Sequence, residues 1–276
     1  MYDHPNTAPP ARLVPLNGRD ADGPPLFLVH AVGGTVRAYN ALAKGLADTY
    51  AVTGIEAFGI SDGEPVDKLT EIVERYTAAV RAAQPEGPYR LAGWSMGGIV
   101  AFEMTRELER QGTEVEFTAL MDAPFEDPCP MPDVEAATES PELRTHFAED
   151  VAGTLGLDMP ASADADPLGW LATTFGRGQA QYVDLAREDL ERRFTVFRAH
   201  FHAVEQYRPS GMVDAELWLL FPTDSIIPDH PARWAELTRT RARHAVVEGD
   251  HHSFLKPPVV SQVASFLSGS RSQREG

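Results

Sequence analysis

The chain has 276 residues, 43% of them hydrophobic, and a formal net charge of −17 at pH 7. That size suits one large α/β domain or two small ones, and the acidic balance argues against nucleic acid and anionic membranes as partners. A lone cysteine, Cys129, leaves no disulfide framework; no basic start leads into an apolar run, and no stretch of about 18 apolar residues occurs, so a cytoplasmic protein without a membrane span is expected.

Residues 1–24 are rich in Pro, Gly, Asn and Asp and predict a flexible lead-in. Residues 26–30, Leu-Phe-Leu-Val-His, predict a buried strand, 31–35 a loop, 36–47 a helix and 50–55 a second strand. An amphipathic helix follows, with Leu69, Ile72, Val73, Tyr76, Val80 and Ala83 on one face. It ends before Gln84-Pro85-Glu86-Gly87-Pro88.

The next stretch, Tyr89-Arg90-Leu91-Ala92-Gly93-Trp94-Ser95-Met96-Gly97-Gly98, is a short apolar run closing in Gly-x-Ser-x-Gly. Val100, Met104 and Leu108 then recur every four residues up to Gly112. Strand, tight turn and helix with a serine at the turn is the context of a nucleophile elbow. Gly93 and Gly97 suit a turn where strand and helix pass too close for a Cβ. The Met96 amide would sit at the helix N-terminus, aimed where an oxyanion forms.

Residues 115–121 predict another strand, closing at Asp122-Ala123-Pro124. Strands alternating with helices imply a mostly parallel central sheet with helices on both faces. From residue 125 the rhythm changes, and prolines punctuate helical pieces until a long helix with Leu190, Phe194, Phe197, Phe201 and Val204 at 4-3-4-3 spacing. Residues 125–207 are therefore expected to be a helical lid insertion within a single domain spanning 1–276. The insertion leaves from the C-terminal end of a strand, where ligands bind in open α/β sheets. Leu171, Phe175, Phe194 and Phe197 could wall an acyl chain, although packing inside the lid would use the same residues. The alternation then resumes, with strands at 216–221 and 244–247 and helices at 231–237 and 259–267.

A serine nucleophile needs a base and an orienting carboxylate, in the chain order Ser, Asp or Glu, His for this architecture. His30 precedes Ser95, whereas His251 and His252 lie in the loop after the last strand; the tight Gly249-Asp250 turn would project His251 into the site. Two residues can be the acid. Asp122 ends the strand after the elbow helix and Asp224 follows the next strand, at equal separations from Ser95 and from His251 respectively. Spacing alone leaves both open.

His30-Ala31-Val32-Gly33-Gly34, Gln84-Pro85-Glu86-Gly87-Pro88-Tyr89, Gly93-Trp94-Ser95-Met96-Gly97-Gly98, Met121-Asp122-Ala123-Pro124 and Gly249-Asp250-His251 together resemble the type I thioesterase domains that terminate nonribosomal peptide and polyketide synthases. The likeness covers residues 12–127 and 195–268. It implies the α/β-hydrolase fold and a catalytic set of Ser95, Asp122 and His251. It also implies an oxyanion hole from the amides of Met96 and Val32, since the family usually has proline, which lacks an N–H, where this chain has Ala31. Ala31 and Trp94 are expected to be flanking substrate contacts. His252 stands where the family often has an aromatic residue, and Trp94 where discrete type II editing thioesterases usually carry histidine.

The implied activity is release of an acyl or peptidyl chain from a phosphopantetheinyl carrier protein through an acyl-serine, by hydrolysis or macrocyclisation, in natural-product biosynthesis. No resident cofactor or metal is implied, and a monomer is expected. The competing readings are a type II editing thioesterase, a general ester hydrolase, and a catalytically silent binding module.

Overall fold

The computed structural model describes residues 11–18, 22–61, 63–125, 140–176, 186–205, 207–225 and 230–269. Seven strands form one sheet: β1 (Arg12–Pro15), β2 (Pro25–Val29), β3 (Ala51–Glu56), β4 (Tyr89–Trp94), β5 (Val115–Met121), β6 (Glu216–Pro222) and β7 (Ala242–Val247). Their spatial order is β1-β3-β2-β4-β5-β6-β7. Only β1 runs antiparallel to its neighbour.

β1 corrects the expectation of a flexible lead-in. Leu13 pairs with Ile55, and Asn17 accepts from the Val52 amide and donates to the Tyr50 carbonyl. An edge strand needs only one partner, so four residues ending in a proline suffice, too few to show alternation in sequence. Residues 1–10 and 19–21 lie outside the described residues.

Successive side chains of a strand face opposite sides, and both sides of this sheet are covered. Phe27, Val29, Leu91 and Leu120 pack with α2 (Leu69–Ala83) and α3 (Met96–Arg110). Leu26, Leu28, Ala92 and Phe117 pack with α1 (Asn40–Gly45) and α8 (Val260–Ser268). Of the α2 positions marked by the 3.6-residue period, Leu69, Ile72, Val73, Tyr76 and Val80 are buried, together with Thr77 and Ala79, whereas Ala83, in the last turn, is exposed.

Between β5 and β6 the chain makes a helical insertion of α4 (Pro141–Leu155), α5 (Pro167–Gly176) and α6 (Arg187–Glu205). α4 starts where Ser140 accepts from the Leu143 amide with Pro141 behind it, and stops at Gly156 in the left-handed region. Phe147 of α4 meets Phe194 and Phe197 of α6 edge-on, with ring centroids 5.7 and 5.4 Å apart. A short α7 (His230–Ala235) follows β6. No helix among the described residues is long and apolar enough to cross a membrane.

Candidate active site

β4 ends at Trp94, α3 begins at Met96, and Ser95 between them has φ 56° and ψ −129°. A non-glycine residue at positive φ is held there by its surroundings, and such strain clusters at functional sites. The surroundings here are backbone. A Cβ on Gly93 would collide with the Gly97 carbonyl, and one on Gly97 with the carbonyls of Val29 and His30. Both positions therefore exclude any side chain.

Asp122 follows β5, also at positive φ (45°), and is fully buried. Its Oδ2 lies 2.6 Å from His251 Nδ1 and its Oδ1 accepts from Ser225 Oγ at 2.7 Å. Asp224 is exposed, and its amide donates to the Gly249 carbonyl at 2.9 Å. The structure thus brings His251 to Asp122 and not to Asp224. His251 is aimed by its own loop: Asp250 Oδ1 accepts from the amides of His252 and Ser253, and the Asp250 amide donates to Ser253 Oγ. The Trp94 ring lies 5.1 Å from the His251 ring, joining the elbow to the loop after β7. Among the described residues Ser95 Oγ has no hydrogen-bond partner, a contact that sites without ligand commonly leave open.

The amides of Val32 and Met96 have no acceptor among the described residues. The loop carrying Val32 is fixed from behind by contacts that the sequence did not reveal. His30 Nδ1 donates to the Ala31 carbonyl at 2.7 Å, and its Nε2 accepts from Tyr76 at 2.5 Å. His200, on α6, donates through Nδ1 to the Val32 carbonyl at 2.8 Å and stacks on His30 with centroids 4.8 Å apart. The peptide planes on both sides of the Val32 Cα are thereby held by buried imidazoles. Ala31 is buried beside the same loop.

Leu171, Phe175, Phe194 and Phe197 are all buried in the apolar cluster of the insertion, with Val32 packed against its edge. Their side chains fill the insertion's own core. A surface groove lies elsewhere, lined by residues including Lys68, Arg81, Glu103, Arg106 and Arg239. Among the described residues no cluster of His, Cys, Asp and Glu is placed to hold a metal ion.

Burial, together with the neighbouring His200, pulls His30 down to about 3, and burial pulls His200 down to about 4. Both rings stay neutral in the fold, whereas an unfolded chain takes up a proton near the ordinary value of 6.5. Their contribution to stability is therefore complete above 6.5 and is lost as pH falls toward the folded-state values, by about 2 kcal/mol for each ring near pH 5. Thermal unfolding of the wild type should shift down between pH 7 and 5. The shift should be smaller in His200→Asn, whose amide keeps the bond to Val32 without the titration. An equal shift in the two proteins would show that His200 does not titrate this way.

A mostly parallel seven-stranded sheet with a serine at a strand–helix elbow and an Asp–His pair on the loops beyond β5 and β7 is the α/β-hydrolase architecture. Within that class the chain belongs to the thioesterase family, whose thioesterase domain matches residues 24–270. Among curated proteins it is 26% identical to the nonribosomal peptide synthetase btyA of Aspergillus terreus over 267 residues, which is 91% of this chain and 28% of that one. It is 39% identical to a dimodular nonribosomal peptide synthase of Bacillus subtilis over 112 residues, 40% of this chain and 5% of that one. The chain thus spans under a third of the length of these relatives.

Its fold is similar to that of the four-domain nonribosomal peptide synthetase AB3403, with a TM-score of 0.79 at 24% identity, covering 95% of this chain and 20% of that one. The wild-type Vlm2 thioesterase domain matches with a TM-score of 0.72 at 21% identity, covering 94% and 97%. The type II thioesterase BorB, from the borrelidin biosynthetic cluster, matches with a TM-score of 0.67 at 21% identity, covering 92% and 97%.

Proposed function

We propose that this thioesterase releases an acyl or peptidyl chain from the phosphopantetheine arm of a carrier protein through an ester on Ser95. The observation that carries the reading is the 2.6 Å bond from His251 Nδ1 to Asp122, on the loop against which the elbow tryptophan packs. With Nδ1 engaged, the free Nε2 is the base that takes the Ser95 proton. Ser95 Oγ attacks the thioester carbonyl, and the unengaged amides of Val32 and Met96 receive the oxyanion. The carrier thiol leaves with the proton from His251. Water, or a hydroxyl or amine of the chain itself, then attacks the ester with His251 again as base, giving a free acid or a ring. The insertion, attached just beyond Asp122, serves as the lid that limits access of bulk water.

The likeness to a type II thioesterase favours a second reading, clearance of misprimed carrier proteins. Intact-mass measurement after mixing with an acyl-pantetheine thioester should show an acyl adduct on Ser95. Its oxygen-ester counterpart should give little adduct; equal acylation by both would indicate a general ester hydrolase. No adduct on folded protein would indicate a binding module. Long native chains turned over in preference to short acetyl-type ones would separate release from editing.

A further inference from the structure

One acidic side chain of the insertion faces the catalytic loops. Asp150 and Gly153, three residues apart on α4, share a helix face. A Cβ built on Gly33, next to Val32, would lie 3.2 Å from Asp150 Oδ2. One built on Gly153 would strike the His252 ring, beside the His251 base. α4 therefore rests on both the loop after β2 and the loop after β7, with the Asp150 carboxyl between them.

This carboxyl is half-buried, and among the described residues it has no hydrogen-bond donor and no ion-pair partner. Lys256, on the same side of α4, donates instead to the Gly153 carbonyl. Burial pushes the Asp150 carboxyl up to about 6, opposed by its attraction to His251, so it is still mostly ionised at neutral pH. An unpaired carboxylate beside an oxyanion loop repels the charge that develops there, and burying it without a partner is unfavourable. Both costs fall if a cation sits next to it. Among the described residues no lysine or arginine supplies one, so the substrate is the natural source. We propose that Asp150 anchors an ammonium group carried by the acyl or peptidyl chain on Ser95, making amine-bearing chains the preferred substrate class.

The inference rests on the acyl-Ser95 reading. It makes Asp150 a specificity-determining residue and ties recognition to the insertion: α4 is held against the base loop most firmly when the cation is in place. An amine so positioned is also a ready internal nucleophile once it gives up its proton.

The test uses two N-acetylcysteamine thioesters of equal length, one ending in a primary ammonium and the other in its N-acetylated, neutral form. Wild type should favour the ammonium chain in kcat/KM by roughly 10- to 100-fold, the range of a charge-assisted hydrogen bond. Asp150→Asn should bring that ratio close to one. Glu149→Gln, which removes the same charge from the exposed neighbouring position, should keep it. A ratio unchanged by Asp150→Asn, or lost equally in Glu149→Gln, overturns the proposal. A measurement on wild type alone covers the case of a misfolded variant: a fluorophosphonate with a terminal ammonium should label faster than its neutral counterpart, and equal rates overturn the anchor. If neither probe labels Ser95 in folded protein, the acyl-Ser95 reading itself fails, an outcome distinct from equal labelling.

Discussion

Ser95→Ala is expected to lower thioester turnover by about 10⁴-fold or more while leaving the melting temperature close to wild type. The loss is large because no other described hydroxyl sits at the elbow with a helix N-terminus behind it and an Asp–His pair nearby. The stability change is small because the Ser95 hydroxyl makes no hydrogen bond among the described residues that alanine would forfeit, and alanine tolerates φ 56° no worse than serine. The measurement is kcat/KM on an acyl-pantetheine thioester with a thermal melt alongside. Retention of more than a tenth of the wild-type value would remove Ser95 from the role of nucleophile.

The next largest effect is expected from Asp122→Asn, about 10³- to 10⁴-fold in kcat. The buried carboxylate accepts from His251 Nδ1 and from Ser225 Oγ. An asparagine can keep one of these bonds by turning its oxygen toward it. It loses the charge that stabilises protonated His251, and its NH₂, if turned toward Nδ1, stabilises the wrong tautomer. Asp224→Asn should stay near wild type, since that side chain is exposed and takes no part in the pair. Kinetics of the two variants in the reverse order would make Asp224 the acid.

The elbow was legible in the sequence because everything that defines it is local: an apolar run, two glycines that allow backbone to pass close to backbone, and a helical period that starts at once. The two candidate acids were not separable by spacing, since β5 and β6 are adjacent parallel strands and both deliver an aspartate near the same sheet edge. What separates them is the turn of the chain at Asp122, at φ 45°, which spacing does not encode and which the family resemblance supplied. β1 was hidden because a four-residue edge strand has no period to detect. His30, Tyr76 and His200 come from three distant segments, and the contact of His200 with His30 exists only after the insertion has folded back over the sheet. Nor could helical spacing in α6 say whether Phe194 and Phe197 face a ligand or Phe147; the structure sets them against Phe147. Asp150 carried no signal, because an aspartate within a helix full of charged residues reads as a solvated face.

The bond from His200 to the Val32 carbonyl bears on how such proteins can be recombined. In many modular designs a cap is treated as an exchangeable part that sets substrate choice while the catalytic body stays constant. Here the part boundary runs through the loop that carries Val32: one of the two imidazoles that hold its peptide planes belongs to α6. A chimera that imports a foreign cap lacking a donor at this position would inherit a new surface and, with it, a loosened Val32 loop in an otherwise untouched body. The transferable unit is the cap together with its histidine.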